Sequence, residues 1–296
     1  MKEIATHSYS KVLDDYTAAI EWMGRLGVKV GSGRAAQYAK EFAWVEENYQ
    51  TAPQDQIRFS SFINTAFEIY ELTAIFQSFH SLPSEQAIHF VERLQVAVNG
   101  PEKRIDENEN TSRSRNFLFE LAVAAKNYKP EKGLTADFSS KADVGLKYGK
   151  NTILVECKRM TTPSSIEKHV KKAVDQLKKE LKKLIGANQY GLVAIDISKM
   201  FTKGGDLYVA GNDDVLSRGS SELMNSFINQ YNHIWQRVLA KNPKILGAIV
   251  RFSFMGISEG RNLPVYISEW SINPRDGISP THQEMLKQLV HDIKSS

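Results

Sequence analysis

The chain of 296 residues is 42% apolar and 24% charged, an ordinary balance for a soluble globular protein and one that excludes a disordered or fibrous chain. No run of eighteen or more apolar residues occurs, which excludes a transmembrane helix, and a single cysteine, Cys157, excludes an internal disulfide and suits a reducing, cytoplasmic setting away from membranes. The net charge of +4 is unevenly spread: residues 1–100 hold 8 Lys and Arg against 12 Asp and Glu, residues 101–186 hold 19 against 12, and residues 187–296 hold 11 against 10, so the middle of the chain suits a polyanionic partner better than a neutral one.

The opening Met1–His7 stretch lacks the apolar core of a signal peptide. Val12, Tyr16, Ala19, Ile20 and Met23, and then Phe62, Ala66, Ile69, Leu72 and Phe76, recur at helical spacing. Residues 1–100 therefore read as a mostly helical region, with strand-like alternation hard to find. Trp22, Trp44 and the Phe-rich 59–79 stretch are expected in its core. Gly31-Ser32-Gly33-Arg34 reads as a turn able to touch phosphate. A polar linker over 101–112, beginning as early as Asn99, follows. The residues of this first region leave dimerisation, binding of a protein partner and substrate recognition equally open.

From Arg113 to Asn127 the apolar residues cover most of a helical wheel, the pattern of a buried helix. At about 100° per residue Arg113, Asn116, Glu120 and Asn127 fall on one polar stripe. A carboxylate there needs a partner, because unpaired burial is costly. Arg113 or a neighbouring backbone group would supply one; a functional site would supply another reason for Glu120.

Two apolar-alternating runs come next, Ala142–Tyr148 and Thr152–Lys158, joined by Gly149-Lys150-Asn151, and they read as a β-hairpin. Alternation puts Ile153, Val155 and Cys157 on one face and Leu154, Glu156 and Lys158 on the other, with the Cα atoms of Glu156 and Lys158 about 6–7 Å apart. Ile153-Leu154-Val155 is apolar on both faces, as in a central strand. An exposed edge pair of Glu and Lys would contribute little, so an acid and a base ending a central strand, near Asp143 on the partner strand, suggest a site for a hard cation and a water. The strand position of Cys157 predicts a buried, inert thiol, and the seven scattered histidines offer no zinc cluster.

Asp143, then Glu156-Cys157-Lys158 after a short hairpin, with Glu120 on the preceding helix, resembles the PD-(D/E)XK nuclease superfamily, whose fold is that of type II restriction enzymes and archaeal Holliday-junction resolvases. Ala142 stands where the family motif has proline. The resemblance covers Arg113 to Ile197 well and the rest of the C-terminal half in outline. It implies a phosphodiesterase using Mg²⁺ or Mn²⁺, held by Asp143, Glu156, the backbone carbonyl of Cys157, and Glu120 directly or through water. It gives Lys158 the task of orienting or activating the attacking water, and implies DNA rather than RNA as substrate, with 5′-phosphate and 3′-hydroxyl products.

After Pro163, Ser164-Ser165-Ile166-Glu167 reads as a capping box opening a helix. Ile166, Val170, Val174, Leu177, Leu181 and Leu184 form its apolar stripe, with Lys168, Lys171, Lys172, Lys178, Lys179, Lys182 and Lys183 opposite. Such a run is commonly a solvated face, but its first turns, with Arg113 and Arg159, are candidates for nucleic-acid contact. Gln176 is another, since some branches of the family place Gln on this helix near the scissile phosphate; the Tyr four residues on is absent, Glu180 standing there. Tyr190–Ile197 reads as a buried strand, 203–218 as a long loop, 220–241 as a helix, 245–254 and 265–272 as strands, and 281–293 as a last helix.

These readings predict an α/β protein: a helical region (1–100), a linker (101–112) and a three-layer, restriction-endonuclease-like domain with a central mixed sheet (113–296). The expected activity is metal-dependent cleavage of DNA in restriction, defence or repair. The rivals are a non-catalytic nucleic-acid-binding or assembly protein on the same fold, and a nuclease subunit active only with a partner. Gly256-Ile257-Ser258-Glu259-Gly260 matches Gly-x-Ser-x-Gly by letter but lies between two expected strands and not at a strand-to-helix turn, so a different α/β hydrolase is disfavoured.

Overall fold

Strands and amphipathic helices together make up the C-terminal two thirds of the chain, and helices dominate before that. The computed structural model describes residues 2–5, 9–48, 56–108, 111–184, 186, 188–202, 206–260 and 263–294. A short strand, β1 (Lys2–Ala5), precedes α1 (Tyr9–Arg25), α2 (Arg34–Asn48), α3 (Gln56–Phe79), α4 (Ser84–Ala97) and α5 (Arg113–Lys126). Then come β2 (Leu134–Asp137), β3 (Val144–Tyr148), β4 (Asn151–Arg159), α6 (Ile166–Leu181), β5 (Gln189–Asp196) and the one-turn α7 (Ser198–Phe201). The chain continues through β6 (Tyr208–Ala210), α8 (Asp213–Leu239), β7 (Ile245–Ser258), β8 (Leu263–Pro274) and α9 (Pro280–Lys294).

The sheet is mixed, in the order β1-β8-β7-β5-β4-β3-β2, with β6 beside β7. β4 pairs antiparallel with β3 and parallel with β5, so it is central, as its unbroken apolar run requires. Alternation decides what each face meets. Ile153, Val155 and Cys157 join one core with Leu118 and Leu121 of α5 and with Tyr16, Phe42, Ile69 and Phe90 from the first four helices. Leu154, Val193 and Ile195 join the other with Val170, Val174 and Leu177 of α6 and Phe227 and Trp235 of α8. Helices thus cover both faces of the sheet, and the first helices share a core with it.

The apolar stripe of α6 is buried from Ile166 to Leu181, each such side chain stabilising the fold by roughly 1.5–3 kcal/mol. Leu184, expected on the same stripe, lies past the helix end and is 38% exposed. The capping box does not form: Ser165 makes no side-chain cap and instead donates to the Thr162 carbonyl at 2.8 Å. Glu167 pairs with Lys171 at 2.6 Å and Arg237 at 2.8 Å.

Two expectations need correction. The first hundred residues do contribute a strand: β1 pairs with the edge of β8 from Lys2↔Glu269 to Ala5↔Tyr266, and four residues are too few to display an alternation. The expected 203–218 loop holds β6, and α8 begins at Asp213, where Asn212 caps it by accepting from the Val215 N–H at 3.0 Å. Residues 203–205 of that expected loop lie outside the described residues.

A buried ion-pair set locks the helices together. Glu68 on α3 accepts from Arg115 Nε of α5 at 2.7 Å and lies 3.5 Å from Arg34 Nη1. Arg34, read from sequence as a possible phosphate contact, is 2% exposed and donates to the Ala97 carbonyl, so it is a core cation. Gly100 sets the approach of α5: its φ is +98°, and a Cβ there would stand 2.2 Å from Ser114 Oγ. The polar 99–112 segment is itself partly interior, since Arg104 and Glu107 are buried.

Candidate active site

The hairpin brings the proposed chemistry together. Tyr148 pairs with Asn151 across Gly149 and Lys150, with Gly149 at φ +57°, so the connection is a two-residue turn. Val144 pairs with Val155, which sets Asp143 beside Glu156 at the far end of the ladder. The Cys157 N–H donates to Asp143 Oδ2 at 2.7 Å. Lys158 Nζ lies 3.2 Å from Glu156 Oε2, 3.4 Å from Asp143 Oδ2 and 2.9 Å from the Cys157 carbonyl oxygen. Glu156 and Lys158 therefore do share a face. The Glu156 side chain is 2% exposed, that of Lys158 13% and that of Asp143 25%, so Asp143 is the member most open to solvent.

Glu120 enters from α5 and meets a partner the sequence did not suggest. Arg93 of α4 donates from Nη1 to Glu120 Oε2 at 2.9 Å and also to the Asp143 carbonyl. Its Nη2 faces the carbonyls of Ala142 at 3.3 Å, Ser140 at 3.4 Å and Phe138 at 3.5 Å. Arg113, expected on the stripe with Glu120, is exposed, its guanidinium 5.7 Å from the Phe117 ring. The signal for Arg93 was present: it interrupts the apolar stripe of Phe90, Leu94 and Ala97, all fully buried. Gly145 allows the loop before β3 to fold this closely, because a Cβ there would stand 2.9 Å from both the Asp137 carbonyl oxygen and Ser140 Cβ.

Three carboxylates face two cations here, and the carboxylates are crowded. Burial and then Asp143 push the Glu120 carboxyl up to about 8, against the pull of Arg93. Burial and then Asp143 raise Glu156 as well, Lys158 opposing. For Lys158 burial favours the neutral amine, but Asp143 and Glu156 outweigh it and keep the ammonium charged. The Cys157 thiol is buried and its ionisation strongly opposed, first by burial and then by Asp143, so it is inert.

A stability profile follows. A carboxyl whose folded pKa lies above its unfolded value of 4.5 holds its proton longer in the native state, so stability falls as pH rises from about 5 to about 8. In EDTA the thermal midpoint is expected to drop by several degrees across that window, with a smaller drop in Glu120→Gln. Added Mn²⁺ is expected to raise the midpoint more at pH 8 than at pH 5. Equal slopes for wild type and Glu120→Gln would show that Glu120 is not the group responsible.

The donor set suits a hard divalent cation. Asp143 Oδ2, Glu156 Oε2 and the Cys157 carbonyl are all oxygen donors, and they already converge on one positive charge, the Lys158 ammonium. Among the described residues no group of three or more His, Cys, Asp or Glu side chains is clustered as a metal site. The set that fits is thus two carboxylates and a carbonyl, with Glu120 held by Arg93.

The expected nucleic-acid contacts divide. Lys168, Lys171 and Lys172 are exposed on the outer face of α6, which Gln176 shares. The Gln176 side-chain oxygen is buried without a hydrogen-bond partner. Arg159 does not join them: its side chain is 7% exposed, bonds bidentately to Glu107 and lies 3.7 Å from Asp196. Alternation explains this, since Arg159 points to the face opposite Lys158. His169 on α6 was missed; burial, and then Lys158, hold its imidazole below the ordinary range, so it is a neutral neighbour of that lysine. A cleft of about 710 Å³ lies elsewhere, lined by Tyr70, Glu71, Lys126, Arg251, Tyr266 and Trp270, and contains none of the four candidate residues.

Comparison of the chain with protein-family models, curated proteins and solved structures returned no match. Among the described residues no helix is long and apolar enough to cross a membrane.

Proposed function

We propose that this chain is a metal-dependent nuclease of the PD-(D/E)XK type that hydrolyses phosphodiester bonds in DNA. One observation carries the reading: at the end of a central strand, a charged lysine is held among two carboxylates and a backbone carbonyl. The order of helix, hairpin, helix and strand, with helices on both sheet faces, supports a restriction-endonuclease-like core.

Asp143, Glu156 and the Cys157 carbonyl would hold Mg²⁺ or Mn²⁺, with Glu120 close behind. Such an ion lowers the pKa of a bound water and offsets phosphate charge. Lys158 orients the attacking water and stabilises the negative charge that develops on the phosphate. Asp143, the most exposed carboxylate, is where the substrate approaches. Lys168, Lys171 and Lys172 hold the backbone by charge alone, so binding weakens steeply with salt.

The test is cleavage of linear, circular and single-stranded DNA by the purified chain in Mg²⁺, Mn²⁺ or EDTA. Cutting is expected in either metal and none in EDTA. Cutting that persists in EDTA, or wild type and Asp143→Ala that cut alike, would overturn the proposal. Metal binding without cutting would instead favour a subunit that a partner activates.

A further inference from the structure

We propose that Arg93 is a positioning residue that builds the nuclease site from the helical region, a role resting on the reading above. Its guanidinium is the common partner of two parts of the site that no backbone pairing joins. One is the Glu120 carboxylate on α5; the other is the loop between β2 and β3, through the carbonyls of Phe138, Ser140, Ala142 and Asp143. Within that loop the remaining restraints are short-range: Ser139 donates to Asp137 Oδ1 from N at 3.1 Å and from Oγ at 2.6 Å, and Ala142 N–H reaches Ser140 Oγ at 3.2 Å. None of these reaches Asp143. Arg93 therefore fixes the Asp143 backbone, while the Cys157 N–H and the Lys158 ammonium hold its carboxylate from the side-chain end.

The arginine is well anchored for the task. Phe90 and Leu94 beside it on α4 are fully buried, and the Phe90 ring packs edge-on against Phe138 at 5.1 Å, so α4 grips the loop by a ring and by a guanidinium. The Arg93 side chain is 15% exposed, which keeps its hydrogen bonds largely out of competition with water. A planar fork is needed to serve a carboxylate and several carbonyls at once, and a lysine ammonium cannot copy it. Arg93 also brings the second positive charge to a site with three carboxylates. By this reading α4 is part of the catalytic apparatus rather than of a separate recognition module.

Arg93→Ala, Arg93→Lys and wild type are compared in Mn²⁺-dependent DNA cleavage and in hydrogen exchange. Displacement of a metal-holding carboxylate by about 1 Å lowers kcat roughly 100-fold. That loss is expected in Arg93→Ala with KM for DNA little changed, and Arg93→Lys should recover only part of it. Guanidinium chloride at non-denaturing concentration is expected to restore activity to Arg93→Ala, while equal NaCl does not. Exchange should quicken at 138–143 and at the Cys157 amide but not in α6. Wild-type kcat in Arg93→Ala, or full recovery in Arg93→Lys, would overturn the proposal. Should wild type itself not cut, the reading as a nuclease active alone fails, and exchange at 138–143 alone decides whether Arg93 positions the loop: unchanged exchange in both variants refutes it.

Discussion

Lys158→Ala is expected to lower metal-dependent cleavage by at least about 10²–10³-fold, the scale seen when one preorganised charge-stabilising donor is removed. The variant separates the lysine's chemical role from the metal's. The ammonium now sits among Asp143 Oδ2, Glu156 Oε2 and the Cys157 carbonyl, so it competes for the oxygens that would hold the cation. Without it Asp143 and Glu156 repel each other unrelieved, and a divalent cation is the remedy. Mn²⁺ should therefore raise the thermal midpoint of Lys158→Ala at least as much as that of wild type, although the variant cuts far more slowly. Asp143→Ala should lose both cutting and the Mn²⁺ response. A Lys158→Ala protein that cleaves normally would remove the lysine from the mechanism. One that fails to respond to Mn²⁺ would mean that the lysine builds the site instead of acting in it.

The largest effect on stability is expected at Glu68, outside the candidate site. Its side chain is 1% exposed and lies between Arg115 and Arg34, themselves 2% and 0% exposed. Arg115 Nη2 also donates to the Glu102 carbonyl at 3.0 Å. Removing one member of such a buried set strands the others as uncompensated charges, a loss of about 3–5 kcal/mol. For Glu68→Gln this predicts a thermal midpoint lower by roughly 10 °C. The pH dependence gives an independent check. Burial pushes the Glu68 carboxyl up, but Arg115 and then Arg34 outweigh it and hold the group at about 2, below its unfolded 4.5. A depressed carboxyl contributes stability that is complete above its unfolded pKa and is lost as pH falls towards the folded one. Wild type should therefore lose stability between about pH 5 and pH 2 more steeply than Glu68→Gln. Because Arg115 sits on α5, one face of the candidate site rests on this cluster; yet, on the proposed reading, cleavage per folded molecule in the cold should be nearly unchanged. Parallel acid slopes for the two proteins would show that Glu68 carries no such charge in the native state.

What this chain determined by itself was local. Ile153-Leu154-Val155 required a strand covered on both sides, the Gly149-Lys150 turn required a hairpin, and the spacing from Ile166 to Leu181 required an amphipathic helix. Each signal lies within a few residues, where backbone sterics and the periods of 2 and 3.6 act. The same alternation set Glu156 and Lys158 on one face. Applied one residue further, it would have told against Arg159, expected as a phosphate contact, because Arg159 lies on the face with Cys157. Charge partners were another matter. Glu120 meets Arg93, which is 27 positions away, and Arg251 meets Glu71 across 180 positions. Nothing in the neighbourhood of either acid records that pairing. β1 is four residues long, and it is a strand because the edge of β8 was there to receive it. Which ions neutralise which is decided when the layers pack, since burial turns each unpaired charge into a penalty only the assembled fold can relieve.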